Sequence, residues 1–349
     1  MTIASTPLKG EQELLEAAQG GDEGSFRRIV ERHRAELHAH CYRMLGSLED
    51  AEDALQETLL RAWRGMAGFE GRSSSRSWLY RIATNACLDA IARRPKRVLP
   101  VDYGPPSDDH DPGEPLVESV WIEPYPDETL GLEDGYAAPE ARYEQREAVE
   151  LAFVAALQHL PARQRAVLIL REVLGFSARE VSQSLDTTVA SVNSALQRAR
   201  KTIDERLPQR SQQATLRSIG DQRISELVEG YVEAWARGDV DALHALLTAD
   251  AVFSMPPWAS WWRGRETIAA MASAAVEICG ESRTVPTRAN GQPAIAYYGQ
   301  SDEKGPGEGP DTASAIDVLT FDGARITEIT AFVTPEIFPR FGLPSVLAP

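Results

Sequence analysis

Cysteine is scarce in this chain. Only Cys41, Cys87 and Cys279 occur among 349 residues, far apart and without metal-site spacing. That argues against a disulfide scaffold or a zinc centre and favours reduced thiols in a cytosolic protein. Long apolar runs are missing too, so no stretch is expected to span a bilayer. The first residues, MTIASTPLKGEQELLEAAQG, lack the apolar centre of a secretory leader. The expectation is a cytoplasmic chain with no membrane role. Bases are outnumbered, 36 against 52 acids, for a net charge of −16. Whole-chain charge therefore argues against nucleic acid as a partner.

The charge is uneven, however. Residues 98–147 hold fourteen acids against Arg142 and Arg146, a net −12. Between Arg81 and Arg97 five bases face one acid, Asp89. A local basic patch, not the overall balance, decides whether nucleic acid can bind. The length suits two or three domains, and a hydrophobic content of 43% supports ordinary cores. No internal repeat is visible.

Helical periodicity runs through residues 11–20, 24–46, 48–66 and 77–94, and Pro95 ends the series. Residues 98–140, rich in Pro, Gly, Asp and Glu, read as an acidic linker. Within it VWIEPYPDETLG, from Val120 to Gly131, has the aromatics and prolines of a docking peptide. Helices resume over about 140–206, and the polar residues 208–220 read as a second linker. From Gln222 a strong amphipathic helix carries Leu227, Tyr231 and Trp235, and a second carries Leu243 and Leu247. A strand over 251–255 and a helix over 266–278 are expected next. Asn290-Gly291 and Asp322-Gly323 then stand between alternating strands, the best short-range hairpin signals available. Helices first and an antiparallel sheet after make an α+β domain.

The segment GFSAREVSQSLDTTVASVNSALQRAR, residues 175–200, reads as a helix-turn-helix. Ser177 and Glu180 make a capping box. Asp186 suits a left-handed turn, and Thr187 or Thr188 can cap the second helix. Val192, Leu196, Ala199 and Ile203 share an apolar face. No acid occurs from Thr187 to Ile203, as suits a surface meeting phosphates and base edges.

In DAEDALQETLLRAW, residues 50–63, Ala51, Leu55, Leu59 and Trp63 point inward and Asp50, Asp53, Gln56 and Glu57 outward. That acidic face is either simply solvated or a dock for a basic partner. SWLYRIATNACLDAIARR then mixes Trp78 and Tyr80 with Arg81, Asn85, Arg93 and Arg94. Such a mixture serves melted DNA by stacking and phosphate contact, or else separates into core aromatics and surface bases.

These segments, in this order, resemble a bacterial extracytoplasmic-function (ECF) sigma factor of the sigma-70 superfamily. The resemblance implies two all-α sigma domains, a region 2 bundle at 8–97 and a region 4 helix-turn-helix at 141–207. The linkers are then 98–140 and 208–220. It implies that Asp50, Asp53, Gln56 and Glu57 face core RNA polymerase, at the β′ clamp coiled coil, with the β subunit a further contact. Phe69, Arg72, Trp78, Tyr80, Arg81, Asn85 and Arg93 would serve the −10 element. Ser191, Asn193, Ser194, Gln197, Arg198 and Arg200 would serve the −35 element of promoter DNA. The acidic linker would run through the polymerase's basic RNA path by charge complementarity. In the turn, Asp186 stands where the family often has glycine.

Residues 221–340 resemble the SnoaL-like cone, an α+β fold with a curved antiparallel sheet shared by polyketide cyclases and nuclear transport factor 2. That fold makes a pocket, and Met255, Trp258, Trp261, Trp262 and Phe332 are its expected lining, with a small ligand as the expected guest. Asp250, Asp317 and His244 are the only acid–base leads, and no spacing singles one out. No catalytic residue, cofactor or metal is assigned. The expectation is a non-enzymatic initiation factor regulated in cis by this domain. The alternative is a SnoaL-type enzyme or small-molecule sensor fused to an ordinary helix-turn-helix regulator, which would need no region 2.

Overall fold

The computed structural model describes residues 9–108, 111–116, 120–130, 145–271, 282–300 and 310–348. They divide into two compact units. The first takes Met1–Lys96, Thr129–Tyr136 and Ala152–Leu207; the second takes Arg97–Glu128, Ala137–Leu151 and Pro208–Pro349.

In the first unit, side-chain caps set the helix starts. After α1 (Lys9–Gln19), Asp22 accepts from the Ser25 amide at the head of α2 (Glu23–Glu31). Next come α3 (Arg34–Leu45), then α4 (Leu48–Gly65) capped by Ser47, then α5 (Ser75–Ile91) capped by Ser74. Each cap satisfies an amide left open in a first turn. The one helix expected over 24–46 is two, because the chain breaks at His33, with φ −115° and ψ −2°. Leu37, Tyr42, Met44, Leu55, Leu79 and Tyr80 fill the bundle interior.

After the single turn α6 (Pro100–Tyr103), which belongs to the second unit, come α7 (Leu151–Gln158) and α8 (Ala162–Leu168). The helix-turn-helix follows as α9 (Ala178–Ser184) and α10 (Val189–Asp204). Both halves of the Ser177–Glu180 capping box are formed, Asp186 sits at φ 47°, and Thr188 caps α10.

The second unit departs from the sequence reading at its start. Residues 208–220 are not a linker, because α11 (Gln212–Ile219) occupies them, capped by Ser211. Periodicity could not show this, since its buried face is polar. Gln212 Nε2 donates to the Phe321 carbonyl at 2.8 Å, and Gln212 Oε1 accepts from the Phe321 amide at 2.8 Å. A glutamine amide thus stands in for a strand neighbour, which makes its burial tolerable. Then come α12 (Asp221–Arg237) and α13 (Val240–Leu246).

Six strands form one sheet in the order β2-β1-β6-β5-β4-β3. They are β1 (Leu247–Ser254), β2 (Trp261–Arg263), β3 (Ser282–Ala289), β4 (Gln292–Gln300), β5 (Asp311–Asp322) and β6 (Arg325–Phe332). The sheet is mixed rather than antiparallel throughout, because β1 runs parallel to β6, with Phe253 opposite Ile329. The β3–β6 meander reverses three times and returns its last strand alongside β1. Residues 265–271 are helical, and the remainder of the helix expected over 266–278 lies outside the described residues. At the first hairpin Asn290 and Gly291 have φ 55° and 72°, the two positive values a type I′ turn needs. At the second the loop is Gly323–Ala324, with Asp322 still paired to Arg325. The cone's core gathers Leu227, Phe253, Trp262, Ile295, Leu319 and Ile329.

Candidate nucleic-acid and partner interfaces

The acidic face of α4 is smaller than its sequence suggests. Asp53 and Gln56 are exposed and Glu57 partly so, but Asp50 is only 4% exposed and pairs with Arg94, which also reaches Asp53 at 3.5 Å. Asp50 therefore belongs to the bundle. Its amide donates to the Ser47 Oγ cap at 3.1 Å. Glu57 pairs with Arg61 at 2.7 Å, and Leu60 is 51% exposed beside it.

The predicted DNA-melting residues separate into two sets. Tyr80 is core: it is 1% exposed, and its hydroxyl donates to Glu36 at 3.2 Å. Phe69 is core as well, packed on Leu14, Ala18, Ile29 and Met66 with its ring 4.9 Å from Trp78. Neither can stack on a base while the bundle is intact, which corrects both expectations. For Tyr80 the cause is the apolar stripe of α5, in which Leu79, Tyr80, Ala83 and Cys87 all turn inward. Arg72, Arg81 and Arg93 are exposed, and Trp78 and Asn85 are half-buried.

Trp78, Arg72 and Arg81 line a cavity of about 450 Å³ whose other wall is the helix-turn-helix, through Glu180 and Asp186. Ser77 Oγ donates to Glu180 at 3.4 Å, and the Arg81 guanidinium lies 3.5 Å from Asp186. The Arg76 guanidinium sits over both the Tyr80 and Phe176 rings, at 4.9 and 5.0 Å from their centroids. Two predicted DNA-facing segments thus face each other in one unit.

A deeper lock holds them together, and sequence reasoning missed it. Arg165 of α8, 4% exposed, donates to the Met44 carbonyl, and Gln158 of α7 donates to the Arg43 carbonyl at 3.3 Å. These are carbonyls of the last turn of α3, which the helix itself leaves open. Arg165 also donates to Gln158 Oε1 at 2.5 Å and to the carbonyls of Gln158 and Leu160. Burial pushes its pKa down to about 10. In sequence it looks like any surface base near a helix start.

On α10 the apolar set Val192, Leu196, Ala199 and Ile203 is buried, and Ser191, Asn193, Ser194, Gln197, Arg198 and Arg200 are all exposed. Arg200 pairs with Glu172 at 2.8 Å.

In the second unit residues 120–127 of the acidic segment are docked rather than free. Trp121, Ile122 and Tyr125 are buried. Asn290 Oδ1 accepts from the Tyr125 amide at 2.8 Å, while its Nδ2 donates to the Val149 carbonyl at 2.7 Å. Asp127 accepts from the Gly291 amide at 2.7 Å and from Arg288 at 3.1 Å. The pocket expectation is corrected in part. Trp262 and Met255 join the core cluster. Trp261 and Trp258 instead donate to the carbonyls of Gly104 and Gly113, at 2.8 and 3.0 Å. Phe332 pairs in register with Ile316, one residue out of phase with the core-facing Ala331 and Asp317, so it lies on the other face of the sheet.

Asp317 does face the core, where Tyr231 Oη donates to its Oδ2 at 2.8 Å. Burial pushes its pKa up to about 7, against lowering hydrogen bonds from Tyr231 and Tyr297. Among the described residues no group of His, Cys, Asp and Glu is placed to hold a metal ion. No helix among them is long and apolar enough to cross a membrane.

Comparison with known proteins matches three family models: Sigma-70 region 2 at residues 29–97, Sigma-70, region 4 at 150–203, and a SnoaL-like domain at 228–329. The ECF RNA polymerase sigma factor SigG of Mycobacterium tuberculosis is 42% identical over 329 residues, covering 93% of this chain and 85% of that protein. SigM of the same organism is 30% identical over 195 residues, covering 56% of this chain and 83% of that one. The crystal structure of the M. tuberculosis sigma factor SigJ shares the fold, with TM-score 0.59 and 19% identity over 93% of this chain and 100% of that one.

Proposed function

The chain belongs to the ECF RNA polymerase sigma factors, and on that premise we propose that its C-terminal domain regulates initiation in cis by holding the acidic linker. The chain itself binds core polymerase and promoter DNA and directs transcription initiation. The fusion of an ordinary regulator to a SnoaL-type enzyme is not favoured, because such a regulator needs no region 2. We read the chain as making no bond itself and as working in the cytoplasm. Its task is recruitment, with base contacts offsetting an unstacking cost of a few kcal/mol per base.

Residue assignments follow from exposure. Asp53, Gln56 and Glu57 are the polymerase-facing acids. Arg72, Trp78, Arg81, Asn85 and Arg93 serve the −10 element, and the six exposed polar residues of α10 serve the −35 element.

The observation that carries the gating proposal is the burial of Tyr125 against Asn290. A linker fixed there cannot at the same time thread the RNA path of polymerase. Release of the linker then separates an idle state from an active one, and a small molecule bound by the C-terminal domain sets the balance. The test is transcription from a cognate promoter by core polymerase with the full chain and with a chain ended after Pro208. A changed yield is expected; equal yields from both would sink the gate.

A further inference from the structure

Not every aromatic of the N-terminal bundle is in its interior. Tyr42 and Tyr80 are fully buried, whereas Phe26, Trp63 and Trp78 are each only half-buried. Trp63, read from the sequence as inward-facing, lies with its ring 5.1 Å from that of Phe26, tilted by 57°. Phe26 and Trp78 both pack on one small satellite core that includes Ile29, Met66 and Phe69. Gln19, at the end of α1, donates to the Phe69 carbonyl at 2.6 Å and so fixes the joint between them. The end of α4 reaches Trp78 directly: a Cβ at Gly65, two residues after Trp63, would touch Trp78 Cζ2 at 3.4 Å. The Phe26–Trp63 pair is therefore continuous with the surface read above as serving the −10 element.

Bases stand beside both rings. Arg27 and Arg28 follow Phe26 on α2, Arg64 follows Trp63 on α4, and all three are exposed. From Glu23 to its C-cap Arg32, α2 carries three bases against two acids, so the patch is positive without being strongly so. A duplex hides the faces of its bases, so rings flanked by arginines suit a strand whose bases are unpaired. Such a strand needs a flat surface for each base and a positive charge near its phosphates, and stacking of this kind tolerates any sequence.

We propose that Phe26, Trp63, Arg28 and Arg64 form a further single-stranded DNA site, which takes the unpaired bases next to the −10 element. Trp63 stacks on a base, Phe26 supports its ring, and Arg28 and Arg64 hold flanking phosphates. The site rests on the reading of Trp78 as a −10 residue and extends the path of the strand beyond that element. It adds grip rather than sequence choice, and so lengthens the stretch of melted strand that the holoenzyme can hold.

The experiment titrates holoenzyme, made with the full chain, with three non-template oligonucleotides. One is the −10 element alone, one adds six thymidines at its 5′ end, and one adds six at its 3′ end. One of the extended strands is expected to bind at least about fivefold more tightly than the element alone. Trp63→Leu, which keeps an apolar side chain but no flat face, should erase that gain, and Trp63→Phe should keep most of it. Arg28→Ala combined with Arg64→Ala should leave Tm unchanged, shrink the gain and lower the salt slope of the extended strand by about 1.4. Trp78→Ala should weaken all three strands alike; an unextended strand indifferent to Trp78 would fault the −10 assignment, and it does so without involving Trp63. No gain from either extension, or a gain kept by both Trp63→Leu and the double arginine variant, overturns the site. Weaker binding of core polymerase by these variants with unchanged strand preference overturns it as well, and makes this surface a polymerase contact.

Discussion

Arg81 and Asp186 lie 3.5 Å apart, so a base of α5, the helix proposed to serve the −10 element, is paired with the acid in the turn of the helix-turn-helix. Both side chains are largely exposed, at 47% and 84%. The pair is therefore worth under about 1 kcal/mol and is weakened by salt. Asp186→Gly removes it and keeps the turn, since a φ of 47° is free of strain in glycine. Promoter opening by the holoenzyme, read by permanganate footprinting at low salt, is expected to rise by up to about fivefold. The gain should vanish at high salt, and a gain that persists there would rule out the ion pair as its source.

Two neighbouring aromatics should behave differently. Tyr80→Ala empties a fully buried site and should destabilise the N-terminal unit by about 3–5 kcal/mol in a urea melt. Trp78→Ala, at a half-buried position lining the cavity, should cost less stability and lower promoter melting instead. A stable Tyr80→Ala protein with the larger melting defect would reverse these roles.

The α4 acids divide in the same way. Reversing Asp53 and Glu57 to Lys should weaken core polymerase binding by about tenfold, measured by titration of labelled protein. Asp50→Lys should instead disturb folding, by roughly 3–5 kcal/mol, because it removes the partner of Arg94 at a buried site. Circular dichroism melts separate the two effects.

Two buried carboxyls make the second unit pH-sensitive. Burial pushes the Asp317 and Glu150 pKa values up to about 7, from 3.8 and 4.5. The groups facing Asp317 are Tyr231 and Tyr297; Glu150 faces Glu147 and accepts from the Gln212 and Gln213 amides. The folded chain holds these protons longer than the unfolded chain does. Their contribution to stability is therefore complete below the unfolded values and is lost as pH rises through about 7. The Tm of this unit should fall by several degrees between about pH 5 and about pH 8. Asp317→Asn should flatten part of that slope, and an unchanged slope would exclude Asp317 as a cause.

Asn290→Gly keeps the left-handed turn but strands the Tyr125 amide and the Val149 carbonyl. Each lost buried partner costs about 1–3 kcal/mol. Limited proteolysis should then cut within 120–128 at a faster rate than in the unaltered chain, and transcription should move toward that of the chain ended after Pro208. Faster cleavage with unaltered transcription would uncouple linker docking from gating.

What the sequence made legible was local. The capping box, the left-handed Asp186 and the four-residue apolar face of α10 are decided within a few positions, and the structure shows each. Where a partner lies far along the chain, sequence reading fell short. Residues 208–220 read as a linker because the groups that satisfy Gln212 come from Phe321, more than a hundred positions away. Asp50 looked exposed because Arg94, which covers it, lies more than forty positions on, just past the end of α5. Arg165 carries no periodic signal at all, since its partners are backbone carbonyls. Phe332 was placed on the wrong face because alternation in β6 is interrupted by a register shift opposite Thr320–Phe321.

The parallel pairing of β1 with β6 bears on the order in which the protein is made. The first unit draws on no residue beyond Leu207, whereas the sheet is incomplete until β6, ending at Phe332, joins β1. At translation speeds of about 5–20 residues per second, the stretch between takes roughly 6–25 seconds to synthesise. During that interval the ribosome presents a finished first unit whose C-terminal domain does not yet exist. If the C-terminal domain gates as proposed, each newly made molecule passes through an ungated youth, and pausing by the ribosome over residues 208–332 would lengthen it.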